Sequence, residues 1–457
     1  MYTVKQADEY IAANAQNVDK TYYPRYHMAP PIGWMNDPNG LAYFNGEYRL
    51  FYQYHPYSDS FGAMHWGQFV SSDLIEYRHG NVALCPSGAD ETSCFSGGGI
   101  AADGKLYLMY TRHYETENVK KEWICLAESA DGKTFEKRAA AVFDNAALPS
   151  YISRSDFRDP FPVRVGEKYY VFVGGKDERA NRGVIVVLSG RSLDRLEYDF
   201  CIGPFYELGE MAECPCYAQV DGKDVIVVSG CGVKEKDGRY KNGNISVFAV
   251  GDIDFGNKRM NIDFVKEMDC GDCFYAPQFV NDAPRPTVIG WLEMWNKRYP
   301  TRERNHGWVG AFSLPRELSI VNGDIIQSPI AAAERYFSPC NADGELPQCS
   351  VIEAELPVGA SIVIAGETGQ IVVGNDGDVF LDTTKSNNLN GCVRKAKVGA
   401  DSPRVRVFLD VSCVEVFADD GRQTISSRFY IDGRMTLTAN GARGLTVKAF
   451  DPAAQKS

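Results

Sequence analysis

The sequence predicts an all-β chain, a five-bladed β-propeller followed by a C-terminal β-sandwich. Three observations carry that expectation. The 457 residues include 25 Tyr, 24 Phe and 43 Gly, and short aromatic or β-branched runs alternate with turn residues, as strands joined by tight turns do. A turn followed by an apolar run recurs about every sixty residues. After about residue 337 this period gives way to shorter alternating strands.

An N-terminal helix is expected over residues 5–17. The repeat then begins. Asn45-Gly46-Glu47 precedes YRLFYQY, Asp103-Gly104-Lys105 precedes LYLMY, Gly166-Glu167-Lys168 precedes YYVFV, and Asp221-Gly222-Lys223 precedes DVIVV. The four glycines are 58, 62 and 56 residues apart, and a degenerate fifth copy lies 61 residues further on, where Asn281-Asp282-Ala283 precedes TVIGWLEMW. Five four-stranded units closed radially would protect their sheet edges. An open β-solenoid is the alternative, but such repeats are usually much shorter. A short helix is expected near Ala331–Arg335, after Ser328-Pro329. The expected division is residues 1–330 for the propeller with its N-terminal helix, 331–337 for a linking helix and 338–457 for the sandwich. Strands such as VRVFLD and VEVFAD, broken by Asn375-Asp376-Gly377, Asn390-Gly391 and Asp432-Gly433, suit that last region.

Charge and cysteine content narrow the function. Lys plus Arg number 48 and Asp plus Glu 60, a net −12, which disfavours a phosphate backbone or an anionic lipid surface as partner. The opening MYTVKQADEY lacks the basic start and apolar run of a secretory signal, and no apolar stretch of 18 residues suggests a membrane span. The expectation is a cytoplasmic protein acting on a small molecule, without nucleic acid or membrane; oligomeric state is not legible. Thirteen cysteines, an odd number, read as reduced core residues. Cys214/Cys216 and Cys270/Cys273 lack the paired spacing of a zinc site, and no P-loop, H-E-x-x-H or G-x-G-x-x-G appears. No metal or organic cofactor is expected.

The polar residues keep phase with the repeat. Asp37, Ser96, Asp159, Glu213 and Tyr275 each lie seven to nine residues before the turn residue of their unit. All five therefore belong on the strand that leads into a hairpin, which in a propeller lines the central axis. Three carboxylates converging there would raise at least one pKa. Such a cost suits a pair in which one carboxyl serves as general acid and another as nucleophile. Each residue also has a plain structural explanation: Asp37-Pro38-Asn39-Gly40 could be a turn, and Arg158-Asp159 a surface ion pair. Trp34, Tyr52, Tyr54, Trp66, Phe95, Trp291 and Trp295 stand near these acids in sequence, with Asn36 and Gln53. Aromatic faces beside carboxylates and amides suit a sugar, although a propeller core is aromatic as well.

These residues also carry a family resemblance. Trp34-Met35-Asn36-Asp37-Pro38-Asn39-Gly40 resembles the hallmark of glycoside hydrolase family 32, the invertase and fructanase family. Phe51-Tyr52-Gln53-Tyr54, Trp66-Gly67, Phe95-Ser96-Gly97, Arg158-Asp159-Pro160, Glu213-Cys214-Pro215 and Phe274-Tyr275-Ala276-Pro277-Gln278 are similar to its further motifs, in order. So are Leu314-Pro315-Arg316-Glu317-Leu318 and, near the C-terminus, Leu409-Asp410-Val411-Ser412 and Val414-Glu415-Val416-Phe417. The resemblance implies Asp37 as nucleophile, Glu213 as acid/base and Asp159 as transition-state stabiliser. It implies a fructose subsite shaped by Asn36, Gln53, Trp66, Phe95, Ser96 and Arg158, with Tyr275 joining them by its phase.

The implied reaction is double displacement on a terminal β-D-fructofuranoside such as sucrose, sucrose 6-phosphate or a short fructo-oligosaccharide. Glu213 would be kept protonated by its apolar flanks and neighbouring negative charge, and Arg158 would pair with a carboxylate to limit repulsion. Fructosyl transfer and non-catalytic sugar binding are the alternatives. Two departures from the family pattern, Gln68 in Trp66-Gly67-Gln68 and Gly98 in Phe95-Ser96-Gly97-Gly98, read as changes near the pocket rim. Asn296-Lys297-Arg298 and Arg302-Glu303-Arg304 form a basic segment that could meet a phosphate, though such runs are more often solvated loops.

Overall fold

The computed structural model describes residues 2–341 and 344–453. Residues 1, 342, 343 and 454–457 of the expected domains lie outside the described residues. The chain is all-β, with 54% of residues in strands and 7% in helices. Helix α1 spans Val4–Asn14 and a 3₁₀ turn follows over Ala15–Asn17. The Thr3 hydroxyl caps α1 by accepting from the Gln6 N–H at 3.2 Å.

Five sheets follow, each opened by one leading strand. These are β1 (Gly33–Phe44), β2 (Ser93–Ala102), β3 (Ile152–Val165), β4 (Met211–Val220) and β5 (Tyr275–Phe279). Each pairs antiparallel with the strand after the expected turn, and the sheet continues outward to four strands in order. Asn45, Asp103 and Asp221 take positive φ in those turns, each followed by a glycine that does the same. The leading strands touch in a closed cycle: β1 meets β2, β2 meets β3, β3 meets β4, β4 meets β5, and β5 meets β1. Apolar side chains fill the space between neighbouring sheets. Ile100 and Met109 meet Phe157 and Val171, for instance, and Phe172 and Val187 meet Val225 and Val227. Burial of such faces is the main driving force of the arrangement.

The fifth sheet departs from the simple hairpin count. After Thr287–Trp291 the chain leaves it and forms helix α2 (Pro300–Glu303). It then adds Trp308–Val309 parallel to Gly33–Trp34, as a fifth strand of the first sheet, and only then returns as Arg316–Val321 and Asp324–Pro329. The excursion ties the last sheet to the first.

Helix α3 (Ala331–Glu334) precedes the C-terminal region. There a six-stranded and a five-stranded sheet share one core containing Ile352, Val407, Val416, Ile362, Val373 and Leu381. Two of the C-terminal motifs bind this region to the rest. Asp410 accepts from the backbone N–H groups of Arg25, Tyr26 and His27 at 2.6–2.8 Å. Glu415 accepts from the Leu314 N–H at 2.6 Å and from Arg316 Nη2 at 2.5 Å. His27 lies between the two acids, with Nδ1 2.9 Å from Asp410 and Nε2 2.9 Å from Glu415. No helix among the described residues is long and apolar enough to cross a membrane.

Candidate active site

All five leading strands break register at the same place. The shifts fall between Met35 and Pro38, Phe95 and Gly97, Arg158 and Phe161, Glu213 and Cys216, and Tyr275 and Gln278. A bulge bends its strand and re-aims a side chain. The cause is local: Pro160, Pro215 and Pro277 cannot donate to a ladder, and the residues before them, Asp159, Cys214 and Ala276, take φ of 64°, 48° and 48°. Non-glycine residues in that region cost about 1–3 kcal/mol each and cluster at functional sites.

The bulges turn three carboxylates inward. Asp37, Asp159 and Glu213 line one cavity of about 220 Å³, with Asn36, Gln53, Phe95, Ser96 and Arg158. A larger cleft of about 710 Å³ lies elsewhere, beside Lys20, Arg25 and Arg78. Ser96 Oγ donates to Asp37 Oδ2 at 2.7 Å and Asn36 Nδ2 donates to Oδ1 at 3.0 Å. Asn36 is fixed in turn by Trp34 Nε1, which donates to its Oδ1 at 2.7 Å. Asp159 Oδ2 accepts from the Cys214 N–H at 3.0 Å. The Cys214 Sγ lies 3.6 Å from both Asp37 and Asp159. Glu213 accepts from Arg158 Nη2 at 2.6 Å and from the Tyr275 hydroxyl at 2.7 Å.

These contacts separate the three acids electrostatically. Burial raises the Asp37 carboxyl above its ordinary value, against the pull of Ser96 and Asn36. Burial pushes Asp159 up to about 7, in spite of Arg158. Burial also acts on Glu213, but the charge and hydrogen bond of Arg158 outweigh it and hold that carboxyl below its ordinary value. The expectation that Glu213 stays protonated in the resting site is therefore corrected: its polar partner, not its apolar flanks, decides its state. Burial pushes the Cys214 thiol well up, so it stays neutral beside the acids.

Other expected residues sit one layer back. Trp66 is fully buried against Phe51 and donates to the Phe95 carbonyl at 3.2 Å rather than lining the cavity. Tyr275 reaches the site only through Glu213, and Gln53, which does line it, donates to the Cys94 carbonyl at 2.9 Å. Tyr52 and Tyr54 meet edge to face in the core of the first sheet, where Tyr52 stacks on Phe69. Neither family departure lies at the rim. Gln68 is buried and donates to the Gly132 carbonyl at 2.8 Å, and a Cβ on Gly98 would meet Pro162 and Phe161 of the next sheet at 2.8 and 2.9 Å. The basic segment is engaged elsewhere: Lys297 bonds Asp272, Arg298 bonds Glu303 and Arg304 bonds the Tyr22 hydroxyl. Cys214, Cys216, Cys270 and Cys273 form no metal-binding group among the described residues.

One wall of the cavity went unread in the sequence. Lys105–Thr116 and Val119–Ser129 form a hairpin in which His113 faces Glu122 and Glu115 faces Lys120. These four side chains line the cavity, with Phe61 and Trp295. Glu122 Oε2 accepts from the Phe157 N–H at 3.0 Å and lies 3.5 Å from Arg158 Nη1. Its Oε1 lies 3.3 Å from His113 Nδ1, and the His113 ring stacks on Phe95 with centroids 3.8 Å apart. The available signal was the period-2 spacing of His113/Glu115 and Lys120/Glu122, which places each pair on one face.

Comparison with known proteins agrees with the site. Residues 27–329 match the glycosyl hydrolases family 32 N-terminal domain and residues 359–451 the family 32 C-terminal domain. A sucrose-6-phosphate hydrolase of Escherichia coli is 33% identical over 438 residues, covering 90% of each chain. A raffinose invertase of Escherichia coli is 32% identical over 437 residues, again 90% of each. A Bombyx mori family 32 β-fructofuranosidase variant, solved in complex with sucrose, superposes with TM-score 0.86 at 30% identity, covering 98% of this chain and 97% of that one. Motifs in order, bulges in phase and both domain matches lead to one assignment: the chain belongs to glycosyl hydrolase family 32.

Proposed function

We propose that the chain is a retaining β-fructofuranosidase that cleaves terminal β-D-fructofuranosides. The observation that carries this reading is the meeting of Asp37, Asp159 and Glu213 in one small cavity under distinct electrostatic control. Family membership supplies the chemistry. Asp37, aligned by Ser96 and Asn36, attacks the anomeric C2 and forms a fructosyl ester. Glu213 protonates the departing oxygen and then activates the water that hydrolyses the ester. Asp159 holds ring hydroxyls as the ring flattens.

The resting site poses one problem for this mechanism, since Arg158 keeps Glu213 ionised. Near neutrality the proton shared by the coupled Asp159 and Glu213 resides with Asp159, whose carboxyl burial pushes up to about 7. Sugar hydroxyls donating to Asp159 favour its charged form, and the released proton then belongs on Glu213. Arg158 Nη1 makes no hydrogen bond of its own but is held in ion pairs with Glu122 at 3.5 Å and Asp156 at 3.7 Å.

The fold reading belongs to the same proposal. The closed cycle of leading strands supports five propeller blades around the site, and the shared C-terminal core supports a β-sandwich. The division at 1–330, 331–337 and 338–457 fits the sheet order. All thirteen cysteines are free thiols, which suits a cytoplasmic location. The test is release of glucose and fructose from sucrose by the purified protein. Its loss in a folded Glu213→Gln variant supports the reading, and wild type that releases fructose from neither sucrose nor sucrose 6-phosphate overturns it.

A further inference from the structure

We infer that the aglycone side of this pocket is built for an uncharged leaving group and disfavours a phosphorylated one, with Glu115 at the mouth as a specificity-determining residue. The inference rests on the fructosidase reading and names the substrate class within it; family membership does not choose between sucrose and its 6-phosphate. The leaving oxygen has to lie within reach of Glu213. The leaving sugar therefore sits on the Arg158 side, between the His113–Glu122 hairpin and the Phe61–Trp295 face.

Acidic groups outnumber basic ones on that path. The cavity lining contains five carboxylates, Asp37, Glu115, Glu122, Asp159 and Glu213, against the cations Lys120 and Arg158. Both cations are engaged. Arg158 bonds Glu213 at 2.6 Å and lies 3.5 Å from Glu122. Lys120 lies 2.7 Å from Asp156 and 3.6 Å from Glu122. His113 stands between Glu122 at 3.3 Å and Glu115 at 3.1 Å. Across the mouth the surface is aromatic, with Phe61 and Trp295 centroids 5.6 Å apart, a face that suits the C–H side of a neutral sugar. Arg302, the remaining cation of the basic segment, lies over the Tyr299 ring at 5.1 Å.

A phosphate dianion is recognised by unengaged Arg or Lys donors or by converging backbone N–H groups. Here it would meet exposed Glu115 first and paired cations behind it. Like charges at such distances repel, and those at the mouth are weakened by salt.

The experiment measures kcat/KM on sucrose and on sucrose 6-phosphate for wild type, Glu115→Gln and Glu115→Lys, at low and high ionic strength. Wild type is expected to favour sucrose at least tenfold at low ionic strength. That ratio should fall at least threefold in Glu115→Lys, fall less in Glu115→Gln, which keeps an acceptor for His113, and shrink with salt. Equal or better cleavage of sucrose 6-phosphate by wild type overturns the inference, as does a ratio that neither variant moves. Cleavage of neither substrate overturns the fructosidase reading, and this inference with it.

Discussion

The Arg158 guanidinium donates to Glu213 Oε1 at 2.6 Å, and its other terminal nitrogen lies 3.5 Å from Glu122. Its charge is thus divided between the proposed acid and a fully buried second carboxylate. Neutralising Glu122 should concentrate that charge on Glu213 and favour its ionised form. For Glu122→Gln we expect the alkaline limb of the kcat profile to move toward acid by about one pH unit, on the scale of a nearby charge. A pH profile measured beside a thermal melt separates this from simple loss of structure. A limb that stays in place would remove Glu122 from the control of Glu213.

Asp37→Asn and Glu213→Gln should each lower kcat by several orders of magnitude while the melting temperature holds. A general acid alone contributes about 10²–10⁴-fold, and loss of the nucleophile should cost at least as much. Turnover near wild type in either variant would take that residue out of the mechanism.

Cys214→Ser should stay substantially active. The thiol is buried and neutral, 3.6 Å from Asp37 and Asp159, and a hydroxyl there is a better donor to a carboxylate. The Asp37 pKa should fall, carrying the acidic limb of the pH profile with it. Complete inactivity of the variant, together with substrate trapped covalently on the Cys214 thiol of the wild type, would contradict a tuning role.

The buried cluster between the two halves should give stability a maximum in pH. Burial pushes Asp410 and Glu415 up, but His27 and backbone N–H groups hold Asp410 below 3.8, and the charge of Arg316 with His27 holds Glu415 below 4.5. Their contribution is present above about pH 4.5 and is lost as pH falls through the depressed values. Burial lowers His27, yet its bonds to Asp410 and Glu415 outweigh that and raise it above 6.5. Its contribution is complete below pH 6.5 and is lost as pH rises through the raised value. His27→Ala should destabilise by about 3–5 kcal/mol, because it leaves buried charge unpaired, and should flatten the alkaline decline. Chemical denaturation from pH 2 to 9 reads both; an unchanged alkaline decline in His27→Ala would mean His27 carries no charge there.

The repeat made the site legible, because the residues that bulge the leading strands, prolines among them, stand at one phase in the chain. Asp37, Ser96, Asp159, Glu213 and Tyr275 could be aligned by counting to the next turn; Ser96 bonds Asp37, Tyr275 bonds Glu213, and Asp159 joins them through the Cys214 N–H. The partner of Arg158 could not be read, since several acids lie within its reach and only the fold selects Glu213. The hairpin wall stayed hidden because alternating charges in YTRHYETENVKKEW look the same on a solvated ribbon. Gly98 was misplaced at the rim for a related reason: a sequence does not reveal which face meets the next sheet, and here Phe161 and Pro162 close that face. Asp410 and Glu415 stood out as motifs, but their task of binding the two halves together depends on partners nearly 400 positions away in the chain.

The account stands on a covalent intermediate at Asp37, and the configuration of the first product tests it most directly. Sucrose is hydrolysed in aqueous methanol and C2 is followed by carbon NMR before mutarotation sets in. Two displacements at C2 restore the starting configuration, so the account predicts β-fructofuranose as the first sugar released, together with methyl β-fructofuranoside. Initial α-fructofuranose, with no β-methyl product, would contradict it.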